Sequence, residues 1–309
     1  MLFFLEVTIS GLMAGVMYSL VALGFVLIYK ASGVFNFAQG VMALFAGLTL
    51  VGLLQGTIPF IHINNPNFAF PPWLAIATTI MIMIGLAFLI ERLMLRYLVN
   101  QEQIILFMAT LGLAYVLEGL GDIMWGSDVK VFDIGLPQGA SDWLLDGYGL
   151  YVEKIEVAAA VIAAILVAIL AVFFQKTRIG RALRAVADDH QAALSVGISL
   201  RSIWIIVWSV SGIVALVAGI MWGAKSGIQF SLSLIALKAL PVLILGGFTS
   251  IPGAIVGGLI IGVGEKYAEI YIGSLVGGAI ENWFAYMLAL VFLLFRPQGL
   301  FGEKIIERV

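Results

Sequence analysis

Between Val7 and Tyr29 the chain passes through apolar and small residues without one charged side chain. About 20 such residues suffice to carry a helix across a bilayer. A second apolar run follows almost at once, ending near Gly56, and others lie at about Trp73–Ile90, Ile104–Trp125, Val157–Phe174 and Ile203–Gly223. A dense stretch begins near Leu232, and a last run covers Phe284–Phe295. Composition agrees: 62% of the 309 residues are hydrophobic and 11% charged, with mean hydropathy +1.11. A soluble domain is nearer 45–50% apolar and about 25% charged. The fold class read here is an all-α polytopic membrane protein, one transmembrane domain over 1–309 with about eight to ten crossing helices, most simply nine. The N-terminus MLFFLEVTIS lacks the basic region of a cleaved signal peptide.

Several chemistries are excluded. There is no cysteine, so disulfides, thiol catalysis and Cys-type metal sites drop out. The two histidines, His62 and His190, fall in different predicted loops, which leaves no His-based metal site. A phosphate loop of the form G-x-x-x-x-G-K-[ST] is missing, and Gly264-Glu265-Lys266 has neither its spacing nor its hydroxyl. Nucleophile-elbow, H-E-x-x-H and dinucleotide patterns are also missing. Most carboxylates lie in one polar loop, without the paired apolar setting that raises a pKa for acid–base work. No catalytic, cofactor-binding or metal-binding residue is expected, and the remaining classes are transport and channel function.

Basic residues set the topology. Lys30, Arg92, Arg96, the 175–201 segment and the tail place eleven of the sixteen Lys and Arg on one side. Lys130, Lys154, Lys225 and Lys266 fall on the other, and Lys238 lies within an apolar stretch. Positive charge marks the cytoplasmic side, so the N-terminus is expected outside and the C-terminus in the cytoplasm. The polar segment 126–156, with six acidic residues against two basic ones, is then extracytoplasmic. Its Trp143, Tyr148 and Tyr151 suit a hairpin or short helix at the membrane interface.

Two interruptions break the apolar pattern, at 31–40 and at 246–253, where Gly246, Gly247, Pro252 and Gly253 divide the dense stretch into two short halves. Asn36 and Gln39 read either as interfacial polar residues or as part of a broken helix lining a polar cavity. On the second reading Asn36, Gln39 and Lys238 lie beside a translocation path. Glu118 sits about 10 Å along a helix from Trp125; an ionisable group there serves either a structural pairing or the path. Gly11, Gly15 and Ser19 recur every four residues, as do Gly253 and Gly257, then Gly258 and Gly262. That is the small-residue spacing of close helix packing.

The segment QKTRIGRALRAVADDHQAALSVGISLRS, 175–202, lies between two long apolar runs. A hairpin loop needs only a few residues, yet this one carries five basic residues and good helix formers, with Gly180 suited to a helix start and Gly197 to an end. It reads either as a loop that fixes topology or as a docking surface.

On GFVLIYKASGVFNFAQG (24–40), GRALRAVADDHQAALSVGI (180–198), KALPVLILGGFTSIPGAIVGGLI (238–260) and RPQGLFG (296–302) the chain resembles the LivH-type permeases of branched-chain amino acid ABC importers, over nearly its whole length. The middle two segments are the most specific. Permeases of ABC importers often carry E-A-A-x-x-x-G in the cytoplasmic loop that docks on the ATPase. Here Gln191-Ala192-Ala193 followed by Gly197 keeps the spacing, with Gln in place of Glu and without the usual I-x-L-P tail. The role of that glutamate is therefore not carried over to Gln191. The resemblance implies an inner-membrane permease subunit for branched-chain or related hydrophobic amino acids, forming half of a translocation path. Its partners would be a second, LivM-like permease, two ABC ATPase subunits and an extracytoplasmic substrate-binding protein received partly by 126–156. No cofactor binds this chain, because ATP is hydrolysed by the partners. The coupling residues implied are Arg181, Arg184, Asp188, Asp189, Gln191, Ala192, Ala193 and Gly197, with Ala192, Ala193 and Gly197 intolerant of bulk. Urea or short-chain amide permeases share these motifs. An ion-coupled secondary transporter is the rival outside the class, and for it only Glu118 is a mid-membrane carboxylate candidate.

Overall fold

A computed structural model describes residues 2–98, 101–188 and 190–302. The described residues form helices in the order α1 (Leu2–Ser32), α2 (Gln39–Gln55), α3 (Pro72–Leu93), α4 (Gln103–Trp125), α5 (Asp142–Tyr148), α6 (Lys154–Lys176), α7 (Arg178–Asp188) and α8 (His190–Ser195). There follow α9 (Leu200–Ser226), α10 (Ile235–Gly246), α11 (Ile251–Tyr267), α12 (Ser274–Val276) and α13 (Glu281–Phe295). Among these residues β structure is limited to isolated bridges. The all-α membrane class holds. Helices α1, α3, α4, α6 and α9 are long and apolar enough to span a bilayer. The α10 and α11 arms are bent by 113° at their break, and α2 and α13 are apolar but shorter.

The chain divides into two compact units interleaved along the sequence. One comprises Met1–Val26, Gly135–Ile165 and Ile235–Val309; the other comprises Leu27–Ile134 and Leu166–Leu234.

The first unit is built on backbone contact. A Cβ on Gly11 would lie 2.7 Å from Val263 Cα, and one on Gly15 would overlap the Gly258 carbonyl. One turn on, the Ser19 hydroxyl bonds to the Gly15 carbonyl at 2.8 Å and reaches the Ala254 carbonyl at 3.1 Å. These are the small residues at four-residue spacing, and they let α1 and α11 touch main chain to main chain. Gly253 and Gly257, on the other side of α11, face Gly246 and the Val242 carbonyl of α10. The break at 246–253 follows from local chemistry. Gly247 has φ +101°, and the Ser250 hydroxyl accepts the Gly253 N–H at 3.0 Å, capping α11 just before Pro252. The free carbonyls that end α10 find donors in the closing segment: Leu300 N–H on Leu245 (2.8 Å) and Phe301 N–H on Gly246 (3.2 Å). A helix end must satisfy such groups somewhere, which gives RPQGLFG its structural reason.

In the second unit α2 is the centre, buried from Gln39 to Gly52, with α3, α4 and α9 against it. Glycines again set the spacing: Gly219 of α9 meets the Ala43 carbonyl, Gly47 meets Ile228, and Gly52 lies under the Trp125 ring.

Candidate functional site

The excursion between α6 and α9 begins at Thr177. Its hydroxyl donates to the Phe173 carbonyl at 2.6 Å and accepts the Gly180 N–H at 3.0 Å, so it caps α7. The helix therefore starts at Arg178 rather than at Gly180. Glycine stands at 180 because a Cβ there would overlap the Phe173 and Phe174 carbonyls of α6. Along α7, Leu183 and Val186 are buried, while Arg181 and Arg184 point outward. α8 closes with two backbone bonds, Gly197 N–H to Leu194 and Ile198 N–H to Ala193, both 3.0 Å. This is the Schellman arrangement, with glycine in the left-handed position at φ +84°. Ala193 is buried inside the chain, whereas the adjacent Leu194 and Val196 are uncovered, Val196 at 74% exposure.

The expected coupling residues thus fare differently. Arg181, Arg184, Ala193 and Gly197 all lie on this excursion. Asp188 ends α7, and Gln191 and Ala192 lie within α8; Asp189 lies outside the described residues, as do Lys304 and Arg308 of the tail. Around Gly197 a side chain would meet nothing within 4 Å, so this chain requires glycine there for its backbone angle and not for tight packing. Leu194 and Val196 escaped the sequence reading, because an apolar residue beside a charged helix is equally compatible with a buried position.

The excursion hands over to α9 through Arg201. Its Nε lies 3.2 Å from an oxygen of Glu91, a carboxylate only 1% exposed near the end of α3, and its guanidinium sits 6.0 Å over the Phe88 ring. Glu91 was also missed: in sequence it is one charge at the end of an apolar run. Arg201→Ala should cost about 1–3 kcal/mol, the penalty for an orphaned buried polar group. The check is the unfolding midpoint in detergent, with Glu91→Gln added to Arg201→Ala recovering most of the loss.

The four path candidates separate into three settings. Asn36 and Gln39 are fully buried in the gap between α1 and α2. The Asn36 amide donates to Gln39 Oε1 (3.3 Å), Asn36 Oδ1 accepts the Ala38 N–H (3.1 Å), and the Ser211 hydroxyl of α9 donates to Gln39 Oε1 (2.8 Å). Thr110 of α4 completes the set, accepting the Phe37 N–H and donating to the Phe35 carbonyl, both at 3.1 Å. The freed backbone at this break is thus satisfied by protein. Glu118 is half-buried and, with Asp122, Gly119, Ser127 and Phe230, lines a cavity of about 250 Å³.

Lys238, alone in an apolar run, is fully engaged. Its ammonium is 3.1 Å from Glu265, 3.6 Å from Glu281 and 3.4 Å from the Tyr18 hydroxyl, and it stands 5.6 Å over the Tyr18 ring. Glu281 also pairs with Lys266 at 3.3 Å. Two cations and two anions from α10, α11 and α13 form a neutral cluster beside the middle of α1, and Glu265 within it is 1% exposed.

Among the described residues, five helices long and apolar enough to cross a bilayer, with one sharply bent helix pair, define a multi-pass membrane protein. The chain belongs to the family described as the branched-chain amino acid transport system / permease component, whose model matches residues 7–296. It is 27% identical to the high-affinity branched-chain amino acid transport system permease protein BraD of Pseudomonas aeruginosa, over 99% of this chain and 98% of that one. It is 26% identical to the corresponding LivH protein of Salmonella typhimurium, over 100% and 98%. Identity to a probable branched-chain amino acid transport permease protein LivH of Methanocaldococcus jannaschii is 28%, over 92% and 88%. These relatives are named as transport permeases.

Proposed function

We propose that this chain is one permease subunit of an ATP-driven importer for branched-chain or related hydrophobic amino acids, set in the inner membrane and supplying half of the translocation path. The match over residues 7–296 supports the transport reading. The single observation that carries the coupling reading is the excursion itself, where outward Arg181 and Arg184 stand with uncovered Leu194 and Val196 on helices capped at Thr177 and Gly197. A loop that served topology alone would have no use for uncovered apolar side chains in water. Two ABC ATPases, a second permease and an extracytoplasmic binding protein complete the machine, and ATP binds outside this chain. On this reading nine crossings, by α1, α2, α3, α4, α6, α9, α10, α11 and α13, combine with the one-sided basic residues to favour an outside N-terminus and a cytoplasmic 175–202. Glu118, beside an open cavity, is the path candidate left to meet a solute, while Lys238 braces α10, α11 and α13 and Asn36 and Gln39 hold the α1–α2 break in shape.

Coupling is tested by Leu194→Asp and Val196→Asp. Both sites are exposed, so membrane abundance is expected to stay normal while ATPase recovered on purification falls at least about tenfold, equivalent to 1.4 kcal/mol. Unchanged ATPase recovery and unchanged uptake in both variants would sink the coupling role. Ala193→Trp is a poorer test, because Ala193 is buried within the chain itself. Orientation is tested in this cysteine-free chain with single cysteines at Ser141 and Ser195. An impermeant thiol reagent applied to intact cells should label the first position and spare the second.

A further inference from the structure

We infer that α5 lies in the lipid headgroup layer of the bilayer, with Trp143, Leu145 and Tyr148 seated among phospholipid and its two aspartates turned to water.

The depth of α5 is set by its neighbour in the same unit. Ala140 bridges Glu153. The Ser141 N–H bonds to the Val152 carbonyl and the Lys154 N–H to the Gly139 carbonyl, both at 2.8 Å. The Lys154 ammonium then reaches 2.7 Å from Asp142. The first residue of α5 is therefore tied to the first residue of α6, a 23-residue helix of spanning composition. Its hydrogen bond and charge hold the Asp142 carboxyl below the usual carboxylate range, so the tether persists at neutral pH. α5 is thus held at the level where the chain enters the membrane.

Its faces suit that level. At about 100° per residue, Asp142 and Asp146 share one side, while Trp143, Leu144, Leu145 and Tyr148 spread over the other. Trp143 is 71% exposed and Tyr148 56%, their rings edge-on with centroids 5.5 Å apart. Tyr151 beyond the helix is uncovered as well. Indole and phenol rings collect at the membrane–water boundary because an apolar body and a polar tip are both served there. The Gly149 turn, φ +66°, returns an N–H to the Leu145 carbonyl at 2.9 Å and stops the helix before it can leave the surface. The helix carries no cation of its own, and Lys154 is engaged by Asp142, so zwitterionic lipid is sufficient.

The absence of native cysteine allows single nitroxide labels on Trp143→Cys, Tyr148→Cys and Asp146→Cys in the full chain, with the subunits that co-purify, in phosphatidylcholine bilayers. Collision with oxygen is expected to exceed collision with a nickel chelate at 143 and 148, and the order to reverse at 146. Chelate-dominated collisions at 143 and 148 would place the helix in open water and overturn the inference. Low collision rates with both reagents at those two positions would mean that protein covers the face, and would overturn it equally.

Discussion

Lys238→Met is expected to lower stability by about 3–5 kcal/mol, the cost of leaving a buried carboxylate without its partner. Methionine keeps the length and apolar stem of lysine, so packing changes little and the loss is electrostatic. The carboxylate that loses its countercharge is Glu265, 1% exposed, which would keep only the Tyr18 hydroxyl among the described residues; it has the Lys238 ammonium 3.1 Å away. Lys266 cannot replace it without abandoning Glu281, its own partner at 3.3 Å. The diagnostic comparison is the double variant Lys238→Met with Glu265→Gln. Removing both charges should restore most of the stability, because a neutral pair has no ion left to desolvate. Unfolding midpoints of the two variants in detergent decide the matter. A single variant as stable as the parent, or a double variant no better than the single, would show that the cluster does not hold these helices together.

Gly258→Val should part α1 from α11. A Cβ at 258 would overlap the Ser19 hydroxyl and lie 2.6 Å from the Gly15 carbonyl. One of those atoms is main chain, so rotamer change cannot relieve the contact. The expected cost is at the upper end of the roughly 1–3 kcal/mol for overpacking. Gly85→Val supplies the control: nothing lies within 4 Å of a Cβ there, and such a change should stay within about 0.5 kcal/mol. The readout is a short bis-maleimide crosslink between cysteines at Thr8 and Tyr267, whose hydroxyls meet at 2.6 Å, so that the tyrosine ring separates the two Cβ atoms. It should form in the parent and in Gly85→Val but fail in Gly258→Val. Equal crosslinking in all three would mean that the glycine stripe is not what sets the approach of these helices.

The contrast between these two sites shows what could be read in advance. Gly11, Gly15, Ser19, Gly258 and Gly262 were visible because close packing leaves a local period, and a period needs no knowledge of the partner. Both breaks were visible for a similar reason, since glycine and proline act on their own segment. Partner choice was not visible. Lys238 looked like a solitary charge in an apolar run, and only the folding of α11 and α13 beside α10 shows that Glu265 and Glu281 answer it. The same holds for Arg201 with Glu91, and for Thr110 and Ser211, which satisfy the 31–40 break from remote helices. The excursion was legible as helical and charged. That Thr177 starts it, that Gly180 yields to two carbonyls, and that Leu194 and Val196 remain uncovered are consequences of how α7 sits on α6 and α8 ends.

The pairing of α1 with α11 has a consequence for how the chain is made. α1 leaves the ribosome long before its partner, so it enters the membrane and waits while more than two hundred residues are synthesised before α11. Waiting carries little penalty, because lipid tails solvate a bare helix as well as leucine would. Its polar member is also provided for: the Ser19 hydroxyl already bonds to Gly15 in its own helix. A nascent chain halted before Ile251 would keep this stripe of small residues open to lipid, an address at which membrane quality control can recognise an unfinished product.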